Sequence, residues 1–92
     1  MGAAWLRCRV LPGMFSTEVR VVLEDEPGRE IASVFVDSAL VRCEAKLRRG
    51  RPVPGLLRVD AAKRGDLVNV FLPVETPEHG WVIGVSPDLI VS

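Results

Sequence analysis

In the stretch "STEVRVVLE", residues 16–24, Val19, Val21 and Leu23 alternate with Glu18, Arg20, Val22 and Glu24. Successive side chains of a strand point to opposite faces, so this period of two marks a ribbon with one face to bury and one to wet. A helix would scatter the same residues around its circumference.

The same rhythm continues on both sides. In "WLRCRVL", residues 5–11, Leu6, Cys8 and Val10 share a face while Arg7 and Arg9 point away. The intervening "PGMFS" reads as a turn in which Gly13 is free to take a positive φ. Downstream, "EDEPGRE" at residues 24–30 centres a Pro-Gly hairpin within a charged rim. The next strand, "EIASVFV" at residues 30–36, carries apolar residues on both faces, as a strand covered from two sides would.

Residues 38–48 admit two readings. Ala39, Val41, Cys43, Ala45 and Leu47 alternate with mostly polar neighbours, which favours a strand. Asp37 or Ser38 as a cap, with Glu44 four residues before Arg48, suits a short helix. A helical stripe of Ala39, Leu40, Cys43 and Leu47 would leave Val41 wet, so the strand is preferred.

Farther on, Leu57, Val59 and Ala61 alternate with Arg58 and Asp60, and "KRGD" at residues 63–66 turns the chain. In "LVNVFL", residues 67–72, Val68, Val70 and Leu72 share one face. A proline-containing connection leads to "WVIGVS", residues 81–86, with Trp81, Ile83 and Val85 on one side. A short segment, residues 87–92, closes the sequence.

Seven prolines and eight glycines spread along 92 residues leave little room for long helices. Six to seven short strands joined by turns predict an all-β domain: a small antiparallel β-barrel (SH3-like or OB-like) or a compact sandwich, with residues 38–48 the one place for a short helix. Residues 1–92 make a single domain, since two pieces would be too small to bury separate cores. At about 0.05–0.15 kcal/mol per residue the expected stability is about 5–14 kcal/mol, without a disulfide or metal.

Twelve basic and twelve acidic residues cancel, so the whole molecule has no field to draw nucleic acid or an anionic membrane non-specifically. The signs are nonetheless segregated. Acidic residues dominate from Glu18 to Asp37, and basic ones from Arg42 to Arg64. Cys8 and Cys43 are too few and too far apart for a disulfide framework; reduced thiols fit a cytoplasmic protein. The first residues lack the apolar run of an export signal, Leu6 stands where a myristoylation signal wants Ser or Thr, and no apolar run reaches membrane-spanning length.

Catalytic ingredients are scarce. His79 is the only histidine and there is no tyrosine; a metal site would need further ligands, and no glycine-rich phosphate loop occurs. No cofactor is implied, and the expectation is a protein that is not an enzyme. "RGD" at residues 64–66 reads as a turn. The feature that invites a partner is the basic segment: Lys46, Arg48, Arg49 and Arg51 on one loop, Arg58 at its base, and Lys63 and Arg64 on the following turn. These seven cations are expected near one end of the barrel. They suit an interaction module that contacts a protein partner, or the acidic residues 24–30 of another copy of itself. The alternative is a nucleic-acid binding module, RNA or DNA, using the segment from Lys46 to Arg64; no aromatic stacking platform lies inside it.

Overall fold

The computed structural model describes residues 2–92. It is nearly all-β: one antiparallel sheet curled into a half-barrel. The alternating runs become β1 (Gly2–Pro12), β2 (Glu18–Glu26), β3 (Arg29–Asp37), β5 (Val53–Arg64), β6 (Leu67–Thr76) and β7 (Gly80–Val85), in spatial order β3-β2-β1-β5-β6-β7. Two-residue strands complete it: β4 (Val41–Arg42) against β5 and β8 (Ile90–Val91) against β1. No helix among the described residues is long and apolar enough to cross a membrane.

The concave side is the core. Leu6, Cys8 and Val10 from β1, Val19, Val21 and Leu23 from β2, Leu57 and Val59 from β5, Val68, Val70 and Leu72 from β6, and Ile83 and Val85 from β7 are all buried there. These are the residues that the period of two places on one face. At about 1.5–3 kcal/mol for each fully buried aliphatic side chain, this shared interior is what closes the sheet on itself.

The long strands β1 and β5 organise the rest. They pair over nine registered positions, from Gly2 with Ala61 to Val10 with Val53. The outer edge of β1 takes β8 and then β2, and the outer edge of β5 takes β4 and then β6. Closure goes no further than a half-barrel, because β3 and β7 have no ladder partner on their outer edges among the described residues. Instead, one backbone bond, from Ser86 N–H to the Asp25 carbonyl at 2.7 Å, ties the end of β7 to β2. The register between β6 and β7 breaks after Phe71, where Pro73 has no N–H to donate.

Several expectations change. Residues 38–48 form neither a full strand nor an α-helix. Asp37 accepts a bond from the Ala39 N–H at 2.8 Å and starts a single 3-10 turn, Ser38–Leu40, which turns the chain before it pairs. Only Val41 and Arg42 then join β5. The alternation reports the faces only in part: Val41, Cys43 and Leu47 pack against the core, but so does Leu40, while Ala39 and Ala45 are exposed. β3 is covered on one side only: Val34 and Val36 are buried and Phe35 is exposed. Trp81 shares a face with Ile83 and Val85 but is exposed, in the register break between the Thr76–Gly80 and Phe71–Val82 pairs. Gly13 does not adopt a positive φ. Its lack of a side chain matters for space, because a Cβ there would meet the Glu18 carbonyl oxygen at 2.5 Å.

A second close approach lies in the core. Gly55 faces Cys8 across the β1–β5 ladder, and a Cβ on it would lie 2.5 Å from Val10 Cγ2 and 3.1 Å from the Arg42 carbonyl oxygen. Val10 is a stiff side chain with no exposure, so neither neighbour yields easily. Gly55→Ala is expected to destabilise the domain by about 1–3 kcal/mol, the range for overpacking a tight core. Gly84→Ala, where a Cβ meets nothing closer than 3.7 Å, should leave stability within about 0.5 kcal/mol. Urea midpoints of the two variants check this, and equal midpoints would contradict it.

Candidate functional site

The seven cations of the basic segment are all exposed, but they do not gather at one end. Arg48 and Arg51 form a bridge around a tight turn at Arg49 and Gly50. β5 starts two residues later and runs 12 residues, about 36 Å at 3.3 Å per residue, against a longest molecular dimension of 37 Å. Lys63 and Arg64 therefore sit at the far end of β5 from Arg48, Arg49 and Arg51. Arg58 lies in mid-strand beside Trp5 of β1, and Lys46 is on the irregular segment before the turn.

What lies beside the Arg48–Arg51 turn follows from register. β1 and β5 are antiparallel with Val10 opposite Val53, so the chain beyond Val10 and the chain before Val53 leave the ladder at the same end. That end therefore carries the 48–51 turn and the β1–β2 connection. Met14 and Phe15 in this connection are 79% and 68% exposed, the most exposed large apolar side chains among the described residues. This pairing of Met and Phe with three arginines had no signal in the sequence, where they are over thirty residues apart.

A second group of arginines lies on the convex face. Arg7 of β1 and Arg42 of β4 both pair with Leu56 of β5, one on each side. In the adjacent row Trp5 pairs with Arg58. The Arg42 guanidinium lies over the Trp5 ring, 4.2 Å from its centroid, a cation–π contact that holds it against the face. Arg7 and Arg42, with Val41, Pro54, Leu56 and the segment Cys43 to Ala45, border an open groove of about 850 Å³. Arg7 was legible as outward-facing, but the neighbours of β1 were not.

Which cations are available depends on which carboxylates are already engaged. In the β2–β3 hairpin, Arg29 makes a two-pronged contact with Asp25, 2.7 Å to Oδ1 and 2.5 Å to Oδ2, and reaches Glu26 at 3.7 Å. Arg9 lies 3.4 Å from Glu24 and 3.6 Å from Glu30. Its buried Nε has no hydrogen bond despite the nearby Glu24 oxygen, so that contact is an ion pair without bonding geometry. Among the described residues, Arg7, Arg42, Arg58 and the seven-residue set form no ion pair.

The remaining polar chemistry is structural or shielded. Thr76, the one buried polar residue among those described, donates to the Gly80 carbonyl and accepts from the His79 N–H, both at 3.0 Å. The His79 side chain is exposed. No group of three or more potential ligands is placed to hold a metal among the described residues. Burial pushes the Cys8 thiol up to about 12, with smaller contributions from the nearby Cys43 and Glu24. Cys43 is half-buried at the groove rim, its Sγ 3.1 Å from the Ala45 carbonyl oxygen.

Two measurements check this arrangement. The hydrogen bonds from Arg29 hold the Asp25 carboxyl below its ordinary value. The contribution of this contact is therefore fully present above the unfolded-state aspartate pKa and is lost as pH falls through the lowered folded-state value. NMR titration should find Asp25 ionising below the usual aspartate range, and Arg29→Ala should return it there. Since the thiolate is the reactive form, iodoacetamide at pH 8 should modify native Cys43 and spare Cys8, with both reacting in denaturant. Two native adducts forming at equal rates would contradict the burial of Cys8.

Compared with known proteins, the chain matches no protein-family model, no curated protein and no solved structure.

Proposed function

We propose that this domain is a non-catalytic interaction module that contacts an acidic protein surface through the end carrying Arg48, Arg49 and Arg51. The observation that carries the proposal is the company these arginines keep: Met14 and Phe15, 79% and 68% exposed, lie in the connection that leaves the β1–β5 ladder at the same end. Methionine, aromatic residues and arginine are the types enriched at protein–protein interfaces, where lysine and acidic residues are depleted. The arginines also have no internal ion pair among the described residues, so a carboxylate partner would not have to displace one.

Two further observations support this reading over its rivals. A second copy offering its acidic hairpin would have to give up the contacts of Arg29 and Arg9 with Asp25, Glu26, Glu24 and Glu30; a different protein is the better partner. A nucleic acid touching all seven basic residues would have to follow β5 for about 36 Å. Two exposed aromatic rings lie toward the turn end, Phe15 and Phe35, the latter opposite Arg20, which pairs with Leu11; neither is on the basic segment itself. For chemistry, the imidazole of His79 stands exposed on a loop and the thiol of Cys8 is shielded by burial.

The test uses labelled synthetic peptides in which Asp and Glu alternate with Leu and Phe, and single-stranded RNA of equal charge, each titrated at two salt concentrations. Micromolar peptide binding is expected, weakened about tenfold by R48A/R49A/R51A and about as much by Phe15→Ser. Tighter RNA binding, with a log–log salt slope of about −0.7 per phosphate contact, would replace this reading with the nucleic-acid one. Undiminished peptide binding by the triple variant would remove the turn from it.

A further inference from the structure

We infer that the convex groove between β1 and β4 is a second contact site, which seats an extended acidic segment of the partner with carboxylates at alternate positions directed to Arg7 and Arg42. This rests on the reading of the domain as a module for acidic proteins, but on different residues.

The geometry is a cross-strand row. Arg7, Leu56 and Arg42 lie side by side on β1, β5 and β4, so the two guanidinium-bearing strands are about 10 Å apart with an apolar floor between them. Pro54 and Leu56 supply that floor, and Glu44 stands at its rim. Arg58 stands one row along the same face. An extended peptide places alternate side chains about 7 Å apart on one side, which lets carboxylates at positions i and i+2 reach out to Arg7 and Arg42 while their own methylene stems lie over Leu56. Guanidinium groups match carboxylates with paired hydrogen bonds, and none of the three arginines has a competing carboxylate partner among the described residues.

The same geometry disfavours a nucleotide strand. The aromatic ring of this face, Trp5, has Arg42 lying over it at 4.2 Å. A base could stack there only by displacing that cation. An open groove with an aliphatic floor offers a peptide what it wants and a base little. A small metabolite is also a poor fit, because such sites enclose most of their ligand.

Cys43 at the groove rim provides a readout that needs no knowledge of the natural partner. The probe is the alternating acidic peptide used above, and the measurement is the rate of Cys43 alkylation in the native protein. The peptide at saturating concentration is expected to slow it at least fivefold, in the native sequence and equally in R48A/R49A/R51A, whose weaker overall binding the excess peptide offsets. R7Q/R42Q should lose the protection while keeping the native circular dichroism spectrum. Arg42→Lys, which keeps a cation over Trp5, should retain most of it. Peptide binding by anisotropy with no slowing of Cys43 alkylation overturns the groove site and leaves the turn end standing. Protection with full affinity in the triple variant overturns the turn end and leaves the groove. Stronger protection by RNA of equal charge, or protection that survives R7Q/R42Q, also overturns the groove site as described.

Discussion

The β1–β5 ladder is the constraint on which the structure depends. Its nine pairs join residues 43 to 59 positions apart in the chain, and every other strand is attached directly or indirectly to one of these two. The register is fixed from both faces. A slip of one residue would turn Leu6, Cys8 and Val10 outward and bring Trp5, Arg7 and Arg9 into the core. Burying two arginines without partners is far more costly than losing the aliphatic contacts alone. The same register sets Gly55 opposite Cys8, at the one inward place where the Val10 side chain leaves no room for another. Core packing and the convex face are thus two consequences of one alignment: the pairing that buries Leu57 also stands Leu56 between Arg7 and Arg42.

Zero net charge conceals a division of labour among the charges. The acidic residues of the β2–β3 hairpin are engaged within the domain by Arg29 and Arg9. The arginines of the β4–β5 region and of the convex face are not. Opposite charges that neutralise each other locally add little to the external potential, whereas unpaired ones dominate it within a Debye length. A molecule with no overall charge can in this way carry one face that attracts anions. Four carboxylates against two guanidiniums still leave the hairpin a net charge of −2, so its internal contacts reduce, without removing, what it could offer the basic stretch of another copy.

Much of the fold was legible because charge punctuated the strands. Arg7, Glu18 and Arg20 marked the wet face of β1 and β2, although Val22, expected on that face, is buried opposite the half-buried Arg9. β5 was read too short because Pro54 and Gly55 look like turn residues. Pro54 is tolerated within a strand because β4 pairs only with Leu56 and Leu57, so the outer edge beside it has no ladder to serve. That misreading placed Arg58 at the base of a loop and drew Lys63 and Arg64 toward Arg48, when a continuous strand holds them apart. Residues 38–48 show the opposite limit. Their alternation gave the inward faces of Val41, Cys43 and Leu47 correctly, but periodicity carries no information about whether a neighbouring strand is within reach.

The site was less legible than the fold for the same reason. Periodicity assigns Arg7 to a face; it does not say that Leu56 and Arg42 stand next to it, because that depends on pairing between distant segments. The two arginine groups also differ physically. Arg48, Arg49 and Arg51 crowd a four-residue turn, where their mutual repulsion reaches outward and their side chains lose freedom when bound. Arg7, Arg42 and Arg58 are mounted on paired strands, with Arg42 already held against Trp5, so less order remains to be imposed on binding. On the proposed reading the turn speeds encounter through its field, and the strand face, being preformed, decides which acidic segment stays.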